Sequence, residues 1–187
     1  MTLICWSLTP AALSPAQRGL LAISQTELPQ VLLTLRQQAP LQELILVSTC
    51  QRLEFYGVCE DPASVESALV NWCQQRLNLP WDALKKNTFY TVYTANRAAR
   101  HLFEVAAGLQ SLSLGESEIM GQLRRAWNTA SQKHTSGSVL NGLFAHALTT
   151  GRQVRHKTGI ARGALSLESL ALGAADDHGQ GVLGGDR

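Results

Sequence analysis

With 187 residues, 45% of them hydrophobic and 16% charged, the chain can bury one sizeable core or two small ones, which excludes disordered and fibrous classes. A net charge of +2 carries no argument for nucleic acid unless the basic residues cluster. The opening MTLICWSLTP has no basic or long apolar leader segment, and no apolar run approaches the ~18 residues of a membrane span, so a cytosolic or stromal protein without membrane contact is expected.

In chain order, residues 3–8 read as a strand ended by Thr9-Pro10, since proline cannot donate to a ladder. Ser14-Pro15, an N-cap followed by proline at N1, opens a helix through about residue 23. A second helix starts at Thr26-Glu27-Leu28-Pro29, carries Val31, Leu32 and Leu35 on one face, and closes at Pro40. The short apolar run 44–47 and the β-rich run 53–58 are two strands separated by a few polar residues. Asp61-Pro62 begins a third helix with Val65, Leu69, Trp72, Cys73 and Leu77 on one face, and residues 89–93 make a fourth strand. The order β-α-β-β-α-β over residues 1–93 is the ferredoxin-like split βαβ arrangement of an α+β protein.

From Thr94 the period stays helical. Residues 96–109, 116–133 and 138–156 are three helices that form a small bundle over 94–160, broken at 111–115 and at His134-Thr135-Ser136-Gly137. Residues 161–187 begin with one more helix at 163–175 and continue as a glycine-rich linker or frayed end without an apolar face. No P-loop pattern occurs in the chain, and the spacing G-x-G-x-x-G falls only in the glycine-rich end, Gly179-Gln180-Gly181-Val182-Leu183-Gly184, where no strand is read before it.

The junction Ser48-Thr49-Cys50-Gln51-Arg52 gathers a thiol, two hydroxyls, an amide and a guanidinium at the end of a sheet, which reads as a site. A thiolate becomes a nucleophile beside a positive charge, and Arg52 is two residues from Cys50. Cysteine is more often a buried apolar filler, and Cys5, Cys59 and Cys73, lacking any C-x-x-C spacing, fit that use as free thiols. His101, between Arg97 and Arg100 on one side and Glu104 on the other, suits a general acid or base, although a solvated helix histidine is the commoner case. Glu116-Ser117-Glu118 at a helix start complements the helix dipole. Arg124, Arg125, Lys133, His134, Arg152, Arg155, His156, Lys157 and Arg162 make the later helices basic; such residues usually form a solvated face, yet their density suits a phosphate backbone.

Three ordered motifs, Ser48-Thr49-Cys50-Gln51-Arg52-Leu53-Glu54, His101-Leu102-Phe103 through Gly108-Leu109 to Gly121-Gln122, and Arg162-Gly163-Ala164 with Ser166, resemble the glutamyl-tRNA reductases. The resemblance implies that Cys50 attacks the ester carbonyl of glutamyl-tRNA, releases the tRNA and forms a thioester. NADPH, bound by a domain outside this chain, would reduce that thioester to glutamate-1-semialdehyde, a precursor of 5-aminolevulinate and tetrapyrroles. No metal is implied. It further implies that Ser48, Thr49, Gln51, Arg52, Ser111, Glu116, Ser117, Glu118 and Gln122 hold the glutamyl group, with Arg52 as the carboxylate clamp, and that His101 matters for activity. Partners consistent with it are the tRNA substrate, a second copy in a full-length protein, and the next enzyme of the pathway.

The sequence departs from the family pattern in four places. Gln51 replaces asparagine, Ser117 replaces proline, Glu118 replaces glutamine, and Leu8-Thr9-Pro10-Ala11-Ala12 replaces an N-H-x-x-A-P type segment. Two classes of function follow: the thioester-forming domain of a reductase, or a shortened, non-reducing relative that binds tRNA or a partner through the same surface.

Overall fold

The computed structural model describes residues 1–8, 13–79, 88–111, 115 and 118–161. Its four strands are β1 (Thr2–Leu8), β2 (Leu41–Ser48), β3 (Leu53–Cys59) and β4 (Tyr90–Thr94). They form one sheet in the order β2-β3-β1-β4, and all neighbouring strands are antiparallel. This is the α+β, ferredoxin-like order expected from the alternation of periods.

Helices α1 (Pro15–Leu21) and α2 (Leu28–Gln38) join β1 to β2, and α3 (Pro62–Leu77) joins β3 to β4. The caps read from the sequence for α1 and α3 are in place. Ser14 accepts from the Gln17 N–H while the Gln17 side chain accepts from the Ser14 N–H, and Asp61 accepts from the Ala63 N–H. The first helix stops at Leu21, two residues short of the expected end, because the Ile23 N–H leaves the helical ladder and donates to Ser48 Oγ at 3.2 Å. That bond ties the helix end to the end of β2.

Opposed residues on neighbouring strands share a face of the sheet. Trp6 and Phe55 are opposed, and on their face Phe55 meets Trp72 of α3 edge-on at 5.6 Å while Trp6 stacks on Tyr90 at 4.9 Å. Cys5 and Tyr56 are opposed on the other face, where Tyr56 meets Phe144 edge-on at 5.4 Å. Phe144 belongs to α6 (Ser138–Lys157), which packs with α4 (Ala95–Ala107) and α5 (Glu118–Gln132). The later helices thus pack on the sheet, and one apolar cluster runs from Ile4 to Leu148. Covered on both faces, β3 is buried at every residue, including Glu54.

Several boundaries differ from the sequence reading. The second strand starts at Leu41 rather than 44, with a bulge between Leu41 and Glu43, and β4 starts after Phe89. Thr94 is the N-cap of α4, but its side chain makes no capping bond. The helix ends at Gly108, whose φ of +79° favours glycine. The helix and linker expected beyond residue 161 lie outside the described residues. Among the described residues no helix is long and apolar enough to cross a membrane.

Glu43 joins the sheet to the helical layer. Its buried carboxylate accepts from the N–H groups of Val139 at 3.1 Å and Leu140 at 2.7 Å, capping α6 from a residue far away in the sequence. A Cβ on Gly137, the N-cap residue, would lie 2.5 Å from Glu43 Oε1, so glycine leaves room for the carboxylate. Next to it, the Leu44 N–H donates to the Thr135 carbonyl at 2.7 Å, which covers part of the open edge of β2. Glu43→Ala is expected to cost about 1–2 kcal/mol, the usual worth of a helix cap. Thermal denaturation should show a Tm lower by roughly 2–8 °C, and an unchanged Tm would contradict the capping role.

Candidate active site

Cys50 sits in the turn between β2 and β3, held by backbone and hydroxyl bonds. The Thr49 N–H donates to the Arg52 carbonyl at 2.8 Å, and Thr49 Oγ1 accepts from the N–H groups of Gln51 and Arg52. The Thr49 hydroxyl thus shapes the turn that presents the thiol. Of the four cysteines, Cys5, Cys59 and Cys73 are buried and Cys50 is exposed. Burial pushes the thiols of Cys5, Cys59 and Cys73 upward, away from thiolate formation.

Two cavities meet at Cys50. Thr49, Cys50, Gln51, Arg52, Ser111, Ile119 and Gln122 line a narrow polar cleft of ≈10 Å³. Residues far apart in the sequence and expected to share a substrate are therefore brought together. Cys50, Ser48, Thr49 and Arg52 also border a larger cavity of ≈260 Å³ walled by Leu8, Leu13, Leu21 and Leu53. Glu118 is exposed at the start of α5 and does not line the cleft. Glu116 and Ser117 lie outside the described residues.

Behind the turn lies a group that the sequence reading left out of the site. Glu54, 1% exposed, accepts from four donors. These are Arg52 Nη1 at 3.1 Å, His101 Nε2 at 2.9 Å, Tyr56 Oη at 2.7 Å and Ser7 Oγ at 3.3 Å. Burial alone would raise the Glu54 carboxyl, but the His101 hydrogen bond and the Arg52 charge outweigh it and hold the group below the ordinary carboxylate range. As an ionised acceptor, Glu54 requires His101 to donate through Nε2. The His101 ring also stacks on Tyr93, with centroids 4.4 Å apart and planes 13° apart. His101 is buried rather than solvated, and it borders an open pocket of ≈220 Å³ with Tyr93, Arg97, Arg100 and Gln110.

Arg52 is correspondingly committed. It is 7% exposed, and besides Glu54 it donates through Nη2 to the Gln110 carbonyl at 2.7 Å. Its charge is largely answered by Glu54, so less of it reaches Cys50 than the spacing in STCQR suggests. Arg52 lines both cavities. The signal that could have found Glu54 is a carboxylate at the centre of a run that otherwise reads as a fully buried strand, since buried charges are retained only with partners.

Cys5 Sγ, a Glu54 oxygen and a His101 ring nitrogen lie within 4.8 Å of one another, close enough to suggest a metal centre. The carboxylate is already filled by its four donors, and the Arg52 cation beside it opposes a second cation. This arrangement suits a hydrogen-bond network.

The basic residues of the later helices separate by role. Arg124 and Arg152 line a groove of ≈390 Å³ with Trp127 and Asn128, and Arg152 continues into a second one with His156 and Lys157. Arg155 also lines this second groove and donates to the Gly115 carbonyl at 2.9 Å. Arg162 lies outside the described residues.

A protein-family profile described as "Glutamyl-tRNAGlu reductase, N-terminal domain" matches residues 8–158. The glutamyl-tRNA reductase of Chloroflexus aggregans is 39% identical over 160 residues, covering 83% of this chain and 35% of its own. That of Synechocystis sp. is 36% identical over 155 residues, covering 83% and 36%. The solved glutamyl-tRNA reductase from Methanopyrus kandleri superposes with a TM-score of 0.64 over 94% of this chain and 39% of its own, at 24% identity, a likeness of fold. The chain thus spans little more than a third of the length of these relatives.

Proposed function

Because this chain belongs to the family of glutamyl-tRNA reductase N-terminal domains, we propose that it takes the glutamyl group from glutamyl-tRNA onto Cys50 as a thioester, the first half of the reductase reaction. The observation that carries the reading is the exposed thiol of Cys50 at the meeting of two cavities, one of them lined by Thr49, Gln51, Arg52, Ser111 and Gln122.

The Cys50 sulfur attacks the ester carbonyl carbon, the bond to the ribose oxygen breaks, and that oxygen leaves as a hydroxyl after taking a proton. An aminoacyl ester is activated enough for a thiolate, so the turn needs to present the sulfur and orient the acyl group rather than supply a strong base. Thr49 and the β2–β3 turn do the first. Arg52, fixed between Glu54 and Gln110, is the donor for the substrate carboxylate, and Ser111, Gln51 and Gln122 offer neutral partners along the cleft.

NADPH would supply the hydride of the second half reaction. The described residues do not fit that cofactor: their sheet is antiparallel throughout, without the parallel βαβ unit that a dinucleotide-binding turn opens. The 187-residue chain is therefore expected to convert glutamyl-tRNA slowly to glutamate and free tRNA through hydrolysis of the thioester, equally with and without NADPH. Product analysis of charged tRNA tests this. Glutamate-1-semialdehyde formed only with NADPH would refute the division of labour, and absence of any turnover or adduct would refute the thioester reading.

The groove containing Arg124, Trp127 and Arg152 is the proposed contact for the tRNA backbone. If about four phosphates are neutralised there, tRNA affinity should fall roughly a hundredfold between about 50 and 200 mM salt. Filter binding across a salt series measures the slope, and a flat response would remove the groove from the interface.

A further inference from the structure

The larger cavity beside Cys50 has no task in the glutamyl-binding scheme. Its walls, Leu8, Leu13, Leu21 and Leu53, are apolar and no carboxylate lines it among the described residues, so the ammonium of a glutamyl group would be desolvated there without a counter-charge. Its polar lining comes from Arg18 on α1 and from Ser48, Thr49 and Arg52 beside Cys50 at the β2–β3 turn.

Gly19 supplies an independent observation. It lies inside α1, where glycine costs helix stability relative to alanine, and its backbone is not in the left-handed region that would demand glycine. No atom lies within 4 Å of where its Cβ would stand, so packing does not demand glycine either. Gly19 is exposed and lines the cavity, so a long side chain at 19 has room to reach into it.

The geometry points to this chamber as the seat of the leaving group, the terminal adenosine 5′-phosphate unit of the charged tRNA, an inference that rests on the thioester reading given above. An ester bond presented to Cys50 divides the substrate at the sulfur. The acyl part goes toward the polar cleft, and the ribose and base go to the larger cavity. The chamber fits that half: leucine walls accept the faces of a purine, the hydroxyls of Ser48 and Thr49 stand where the ribose meets the thiol, and the Arg18 cation at the rim answers the 5′-phosphate. The cavity's ≈260 Å³ is small for a ligand site, which suits a single nucleoside rather than a longer segment of RNA.

Alkylation of Cys50 by iodoacetamide provides a test that needs no turnover. Adenosine 5′-monophosphate at millimolar concentration should slow alkylation of the intact chain at least fivefold, and inorganic phosphate should not. In Gly19→Phe, which fills the chamber, AMP protection should disappear. In Arg18→Glu, at the rim, the protecting concentration should rise several-fold. Circular dichroism melts establish that both variants fold. With glutamyl-tRNA and glutamate ethyl ester as competing acyl donors, Gly19→Phe should lower the preference for the tRNA at least tenfold. No protection by AMP, equal protection in Gly19→Phe, or protection by nicotinamide mononucleotide at lower concentrations than AMP would overturn the assignment. The last outcome would give the chamber to a hydride donor instead. Protection by AMP without any glutamyl adduct at Cys50 would uphold the nucleoside chamber and refute only the thioester chemistry.

Discussion

Cys50→Ser should reduce glutamyl labelling from charged tRNA by roughly 10³-fold or more, since a serine hydroxyl at this turn has no base in place to activate it. Cys59→Ser should label like the parent chain. The Cys59 thiol is buried, donates weakly to the Thr2 carbonyl at 3.7 Å, and can be replaced there by a hydroxyl donor. Mass spectrometry of the peptide carrying residue 50 after a brief incubation reads both results. Equal labelling of the two variants would remove Cys50 from the chemistry, and the two adjacent cavities would then need another explanation.

The second large effect is expected at Glu54. Glu54→Gln keeps the shape but leaves the Arg52 cation buried without its counter-charge and cannot accept all four donors, so a loss of about 3–5 kcal/mol is expected near neutral pH. The pH dependence has a definite sign. The folded carboxyl lies below its ordinary value of 4.5, so its stabilising contribution is complete above that pH and is lost as pH falls through the folded value. The parent chain should therefore lose stability below about pH 4.5, and Glu54→Gln should lose less over the same interval. Denaturant melts of both proteins at neutral and acid pH give the comparison; an equal gap at both would show that the ionised carboxylate is not what the network depends on. The same substitution should also lower thioester formation, through release of Arg52 and His101 from their fixed positions. A mere loss of stability would leave the rate on the surviving folded protein unchanged.

Much of the architecture was legible because each element announces its own period. The alternation of short β-rich runs with helical faces in the first half yields the split βαβ order directly, and Ser14-Pro15 and Asp61-Pro62 mark helix starts through local hydrogen bonds that need no tertiary partner. The boundaries that moved are those set by distant groups. The α1 helix ends early because Ser48 captures the Ile23 N–H, and β2 begins early because the bulge near Leu41 extends its pairing with β3. At the site, STCQR was readable as a cluster of chemistry in one turn. The meeting of that turn with Ser111 and Gln122 rested on family resemblance, since helical periodicity places residues on faces without saying which face meets which strand end. Glu54 does not stand out in the sequence because its neighbours Leu53, Phe55 and Tyr56 read so clearly as core. His101 lacked a visible partner for the same reason, as the two are 47 residues apart in the chain.

The corner where Thr135 covers β2 and Glu43 grips α6 also bears on how the molecule avoids self-association while it folds. The sheet can pair completely using residues 2–94, but the outer edge of β2 stays open until the α5–α6 turn arrives from beyond residue 130. During that interval a long apolar strand with unpaired backbone groups is a template for a second chain. Docking of the helical layer therefore acts as an internal chaperone for the sheet, and the distance in sequence between the strand and its cover sets how long that hazard lasts.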